Sequence, residues 1–316
     1  MTLHSKENPT SQKLDTIMPA EYIGALARQA LIAEVDTTPK PGLVDRADSG
    51  AHRDMDRNTF LASADAIAPY LTQMAEAGYG WDGDLPKLFS YIRPMGMRAE
   101  ESMFRATSGV NTHKGLIFTL GILCACEGYL QAQGQGWDAK KLLAAAGDMT
   151  ADTLEQEFEL LRQREPRTHG ERLFFLHGVR GIRGEAALGF PSLRDCALPA
   201  LRDAEKLTED RNLMFLQTLL HLMAQVEDTN VLFRTDFETA LGVRKAAEEI
   251  LKLGGCLTPE GLRAVQELNQ TFIEGNISPG GCADLLAAAI FLWLLEKGPS
   301  AGSATQKEGQ TNAEST

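Results

Sequence analysis

Much that would place this chain in a familiar class is missing from it. Alternating runs of Val, Ile and aromatic residues are nearly absent, as are the Asn-Gly and Asp-Gly turns that join hairpins, so a β-rich fold is not expected. Basic residues are in deficit: 31 Lys and Arg against 43 Asp and Glu give a formal net charge of -12. A surface built for nucleic acid or anionic lipid needs the opposite balance. Neither partner is expected, and any anionic ligand must meet a local basic pocket. The cysteines, Cys124, Cys126, Cys196, Cys256 and Cys282, are odd in number and lack C-x-x-C spacing. They predict reduced thiols, with neither a disulfide framework nor a zinc site. No apolar stretch follows the first charges, as a secretory signal requires. The longest apolar run, Leu116 to Cys126, falls short of the ~20 residues of a membrane span and predicts a buried helix. A cytoplasmic protein without a membrane span is expected. No repeat at a solenoid period divides the chain.

What is present is helical patterning. Hydrophobic residues at 43% and charged residues at 23% give the balance of a folded domain. Ile23, Leu26, Ala27, Ala30 and Leu31 follow the i, i+3, i+4, i+7, i+8 spacing of one helix face, and Phe60, Ala64, Ile67, Leu71 and Met74 repeat it. Leu213, Leu216, Leu220 and Met223 form a third stripe, and Thr258-Pro259-Glu260 reads as a helix start. The expectation is an all-α fold. It comprises a single multi-helix domain over residues 18–297 with glycine-rich active-site turns, flanked by polar, disordered tails at 1–17 and 298–316.

Five segments between the helices are richer in Gly, Pro and charge than helix packing explains. The first, EVDTTPKPGLVDR from Glu34 to Arg46, is followed by GAHRDM from Gly50 to Met55. Prolines on either side of Lys40 stiffen the backbone that holds this cation; Asp45, Arg46, His52 and Asp54 lie close by. The second, GVNTHKG, places Asn111, His113 and Lys114 at the start of the apolar helix. Free N–H groups there favour an anion, although a simple cap by Asn111 or Thr112 is the alternative. The Walker A order is absent. The third, HGVRGIRGEA with Gly189-Phe190-Pro191 after it, sets Arg180 and Arg183 three apart, able to fork onto phosphate oxygens or to pair with Glu185 or another carboxylate. The fourth, EDTNVLFR, brings Asp228, Asn230 and Arg234 and reads as the close of the helix containing His221. The fifth, NISPGGCAD, puts Ser278, Gly280 and Gly281 at a helix start with Asp284 in its first turn, suited to the helix dipole or to a cation.

Taken together, Lys40, Arg46, Lys114, Arg180, Arg183 and Arg234 stand beside glycines in an acidic protein, which implies a small polyanionic ligand. Glu34, Asp45, Asp54, Glu185, Asp228 and Asp284 supply carboxylates enough for a magnesium ion and for acid–base work. The five motifs, ending in SPGGCADLL, occur in the order seen in the ATP:dephospho-CoA triphosphoribosyltransferases, and the chain resembles that family from Glu21 to Leu295.

The resemblance implies ATP and 3'-dephospho-CoA as substrates, magnesium as cofactor, and transfer of the 5-triphosphoribosyl group to the 2'-hydroxyl of the acceptor with release of adenine. The product is the precursor of the acyl carrier prosthetic group of citrate lyase or malonate decarboxylase. The change from a β to an α linkage implies one inverting displacement through an oxocarbenium-like transition state. On this reading Lys40, Lys114, Arg180 and Arg183 grip the triphosphate with magnesium on Asp45, Asp54 or Asp284. Glu34, Glu185 or His113 takes the hydroxyl proton, and Asp228 with Asn230 protonates or holds adenine. Arg46, His52, Asn111, Arg234, Ser278, Gly280 and Gly281 are further substrate contacts. A magnesium-dependent glycohydrolase or nucleotide hydrolase has the same residue inventory. A non-enzymatic helical binding protein is the third reading. The pathway served and any homo-oligomer are left open.

Overall fold

The computed structural model describes residues 18–298, and apart from Gly298 the two expected tails lie outside them. Every regular element among the described residues is helical: α1 (Ala20–Asp36), α2 (Arg57–Tyr79), α3 (Leu85–Ala106), α4 (Lys114–Ala132), α5 (Ala139–Leu161), α6 (His169–His177) and α7 (Gly181–Ala187) come first. A π-helical turn, Ser192–Ala197, runs into α8 (Leu198–Leu207), followed by α9 (Arg211–Gln225), α10 (Thr229–Arg234), α11 (Phe237–Lys252), α12 (Pro259–Glu274) and α13 (Gly280–Lys297).

Side-chain caps set where several of these helices begin. Asp56 and Thr59 form a capping box on α2, Thr168 and Glu171 another on α6, and Asp138, Asp210, Asp236 and Thr258 cap α5, α9, α11 and α12. Each cap of this kind is worth about 1 kcal/mol. The predicted stripes are buried apart from the half-buried Phe60 and Leu213, with Ile23, Ala27, Ala30, Leu31, Ile67 and Leu71 at or near zero exposure.

Helices α4 and α13 are apolar on all sides, so both must be surrounded. α4 is long and apolar enough to cross a membrane by length and composition, yet it is mostly buried inside the fold, against α2, α3, α5 and α13. α1 lies across α2 and α13, and α9 packs on α8, α11 and α13. The α2–α4 contact is backbone to backbone. A Cβ at Gly78 would sit 2.0 Å from the Ala125 carbonyl oxygen, and one at Gly128 would sit 2.1 Å from that of Ala75. Only glycine permits that approach. One boundary differs from the sequence reading: α9 stops at Gln225, and the EDTNVLFR segment opens α10 instead of closing α9. Asp228 causes this by capping the new helix.

Candidate active site

The first segment leaves the end of α1 and folds back over it. Glu34, in the last turn of α1, is 2% exposed and Lys40 is 1% exposed; the two form an ion pair. Asp45 holds the loop that follows Lys40. Its carboxylate accepts from the backbone N–H of Lys40 at 2.9 Å, of Ala47 at 2.6 Å and of Asp48 at 3.1 Å. Two distant helices clamp the same loop. Asn212 of α9 exchanges a pair of hydrogen bonds with the Thr38 backbone, and Asn269 of α12 accepts from the Gly42 N–H at 2.8 Å. Gly42 has φ +68°, and a Cβ there would meet the Ile277 carbonyl oxygen at 2.1 Å, so the first segment touches the fifth.

That fifth segment starts α13, and the same carboxylate that starts α10 caps it. Asp228 Oδ1 accepts from the Asn230 N–H at 2.8 Å, while Oδ2 accepts from the Cys282 N–H at 2.8 Å. Burial pushes the Asp228 pKa up against these helix-end bonds, which pull it down. Gly280 lies under the Asn230 amide and Gly281 under Asp228, so both segments share one surface.

One turn into α13, Asp284 reaches the start of α4. Its Oδ2 occupies the space beside Gly115 where a Cβ would come within 2.1 Å. Asp284 has no hydrogen-bond or ion-pair partner among the described residues. Its pKa is raised well above the carboxylate range, first by burial and then by the negative charges of Glu34 and Asp228. Burial also raises the Glu34 pKa, and Lys40 partly offsets this.

His113 closes the centre from the α4 side. It precedes α4 and is 1% exposed, with Phe60 edge-on at 5.0 Å. Its Nδ1 lies 2.6 Å from the Ser63 hydroxyl of α2, which in turn receives a bond from Thr112 at 2.7 Å. Burial, then the charge of Lys40, depress its pKa to about 3. At the rim, Arg234 Nη2 donates to His52 Nδ1 at 3.0 Å, and His52 Nε2 lies 2.9 Å from the Ser278 hydroxyl. Arg234 also binds the Ala51 carbonyl and the Asn276 side chain. The His52 pKa falls to about 4 through burial and the guanidinium of Arg234.

Other predicted residues have different engagements. Arg180 pairs with Glu155 and lies 4.1 Å over the Phe158 ring, while Arg183 pairs with Glu157 at 3.4 Å, so α5 holds both. Lys114 pairs with Glu100 at 2.9 Å, and Asn111 caps the Lys114 N–H at 3.2 Å. Glu185 spends its carboxylate on the Ser192 N–H at 3.0 Å and the Ser192 hydroxyl at 2.7 Å, where it starts the π-helical turn. Arg46 and Asp54 are exposed, and Asp54 comes within 3.9 Å of His52. Among the described residues no group of three or more His, Cys, Asp or Glu side chains has metal-holding geometry, so Asp45, Asp54 and Asp284 are not gathered as a triad. Two open surface clefts, one lined by Glu205, Arg211 and Trp293 and the other by Gln225, Glu248 and Lys252, lie away from this centre. Ser63, Asn212 and Asn269 were not singled out in the sequence. The signal for Ser63 was a hydroxyl within the apolar stripe of α2.

The end of α1 and the starts of α4, α10 and α13 thus bring a buried lysine together with several carboxylates inside a helical bundle. The chain matches the ATP:dephospho-CoA triphosphoribosyl transferase family over residues 20–303 and belongs to it. A probable 2-(5''-triphosphoribosyl)-3'-dephosphocoenzyme-A synthase of Vibrio cholerae serotype O1 is 43% identical over 274 residues, 86% of this chain and 87% of the relative. A 2-(5''-triphosphoribosyl)-3'-dephosphocoenzyme-A synthase of Pectobacterium atrosepticum is 42% identical over 272 residues, again 86% and 87%. A probable synthase of the same name from Malonomonas rubra is 39% identical over 277 residues, 87% and 88%. No solved structure matches.

Proposed function

We propose that this transferase moves the 5-triphosphoribosyl group of ATP to the 2'-hydroxyl of 3'-dephospho-CoA and releases adenine. The observation that carries the reading is Asp284: a carboxylate facing the start of α4, without a hydrogen-bond or ion-pair partner among the described residues, in the field of Glu34 and Asp228. Such a group calls for a cation. Magnesium takes one or two carboxylates together with substrate phosphates, so a full protein cage is not required. Asp284 fits that role, whereas Asp45 is spent on its loop and Asp54 is exposed. Bound magnesium would neutralise phosphate charge during transfer.

The protein's own groups divide the remaining work. Lys40 supplies a buried positive charge beside the α4 start, where backbone N–H groups favour phosphate. Glu34, held in place by Lys40 and with its pKa raised by burial, takes the proton of the attacking 2'-hydroxyl. One displacement at C1' then makes the C–O bond as the C–N bond to adenine breaks, and the hydroxyl proton ends on adenine. Asp228 acts by fixing the starts of α10 and α13, which leaves the exposed Asn230 amide to contact the base. Arg180 and Arg183 serve the phosphates only by leaving α5. The catalytic unit is residues 18–297, the protein works in the cytoplasm, and its product supplies the acyl carrier prosthetic group of a citrate lyase or malonate decarboxylase.

Incubation of the protein with ATP, magnesium and 3'-dephospho-CoA, with adenine and acceptor mass followed together, tests this. Adenine with an acceptor enlarged by one triphosphoribosyl group is expected. Adenine formed equally well without acceptor would make the protein a hydrolase and overturn the reading.

A further inference from the structure

Among the described residues, three buried side-chain polar atoms lack a hydrogen-bond partner: the Tyr22 hydroxyl, Arg180 Nε and His113 Nε2. Arg180 has its charge met through Nη2 and its plane covered by Phe158. His113 Nε2 is the one beside the charged centre. An unmade bond at a buried polar atom costs about 1–3 kcal/mol, and at an active site it marks where a ligand atom belongs.

The proton inventory around the ring decides what Nε2 offers. Thr112 donates its hydroxyl proton to Ser63 Oγ at 2.7 Å. Ser63 has a single proton of its own, and His113 Nδ1, at 2.6 Å, is the neighbour left to take it once Thr112 donates to Oγ. With the protons in that order, Nδ1 accepts and the ring hydrogen sits on Nε2. A second proton is resisted by burial and by the ammonium of Lys40, so the ring stays neutral across the physiological range. In that tautomer Nε2 carries its hydrogen and has no lone pair for a substrate proton, so His113 would act as a donor and not as the base. A neutral N–H can still donate to an oxygen that bears or develops negative charge, next to Lys40 and without proton transfer. The arrangement also accounts for Ser63, a hydroxyl at 0% exposure inside an apolar helix stripe, where an unused polar group would be costly.

We propose that Ser63 is a positioning residue that fixes His113 as the neutral Nε2–H tautomer, and that His113 is a catalytic donor whose Nε2–H binds a phosphate oxygen of the nucleotide beside Lys40. The ligand named here rests on the reading of ATP as substrate; the tautomer does not.

Three measurements on the full chain test it. Nitrogen-15 NMR of the imidazoles, with His113 assigned by its loss in His113→Gln, should show the neutral Nε2–H form from pH 5 to 9. Ser63→Ala should mix the two tautomers, and Ser63→Thr, which keeps the hydroxyl, should restore one. Calorimetry of magnesium-ATP without acceptor should show binding retained in His113→Gln, which keeps a donor N–H but no basic nitrogen, and weakened in His113→Phe, which keeps only a ring. In turnover, His113→Phe should lose a factor on the order of 10² while His113→Gln stays much closer to wild type. Circular dichroism of each variant establishes that it is folded. An Nδ1–H tautomer, titration between pH 5 and 8, or equal loss in folded His113→Gln and His113→Phe would overturn the proposal. Tautomer and nucleotide binding are read without turnover, so absence of triphosphoribosyl transfer would count against the function above while these arms still decide the role of His113.

Discussion

Replacing Lys40 by methionine removes one charge from a pair in which both partners are nearly inaccessible, at 1% and 2% exposure. Methionine keeps most of the stem volume, so packing loss is small and the electrostatic consequence dominates. Removal of one member of a buried ion pair leaves the other uncompensated and costs about 3–5 kcal/mol. Glu34 is that member, and its pKa, already raised by burial, rises further once the offset from Lys40 is gone. Urea unfolding at pH 7 should show the loss directly. Glu34→Gln in the same chain removes the stranded charge and should recover most of it. The pH dependence has a definite sign. A carboxylate with a raised folded pKa binds its proton more tightly when folded, so its stability contribution is present below the unfolded pKa of ~4.3 and is lost as pH rises through the folded value. The deficit of Lys40→Met should therefore shrink as the solution is acidified from pH 7 towards 4. A loss below about 1 kcal/mol at pH 7, or a double variant no more stable than the single one, would refute the reasoning.

Glu127, 2% exposed along α4, has its pKa raised to about 7 by burial despite the bond from Gln131 at 2.7 Å. Its ionisation opposes folding, so Glu127→Gln should gain nothing near pH 4 and about 3 kcal/mol at pH 8, read by denaturant unfolding at the two pH values. Gly115→Ala places a Cβ 2.1 Å from Asp284 Oδ2, and only that side chain has to move. Turnover should fall by on the order of 10² with melting little changed, since displacement of about 1 Å in a site has that effect. Glu185→Gln retains an acceptor for Ser192 and should turn over near the wild-type rate, whereas Glu185→Ala should lower stability by about 1–2 kcal/mol. Adenine release and thermal unfolding, measured in parallel, check the Gly115 and Glu185 variants.

Periodicity made the helical architecture legible because a stripe such as Ile23 to Leu31 has only one way to be buried. The segments that meet at the centre were legible because Gly, Pro and charge interrupt those stripes. Individual roles were not, since each depends on a partner far along the chain. Glu185 looks like a free carboxylate until Ser192 takes both its oxygens. Arg180 and Arg183 look like a phosphate fork until Glu155 and Glu157 of α5 lie opposite them. Asp228 looks like the end of a helix in the sequence, whereas it starts two, and its second helix begins more than fifty residues later. Ser63 was hidden for a different reason: in a stripe of apolar residues a small hydroxyl passes for a space-filler unless its histidine is known to lie above it.

The glycine contact between α2 and α4 does more than let two helices approach. Ser63 lies fifteen residues before Gly78, and His113 lies fifteen residues before Gly128, about 22 Å of chain in each case at 1.5 Å per helical residue. The helices run parallel, locked together at one end, and are read against each other at the far end like the two scales of a vernier. An added or deleted residue between lock and reading point turns the scale by about 100° and advances it by 1.5 Å. Loops can lengthen without touching the hydroxyl–imidazole pair, but these two stretches must keep equal length.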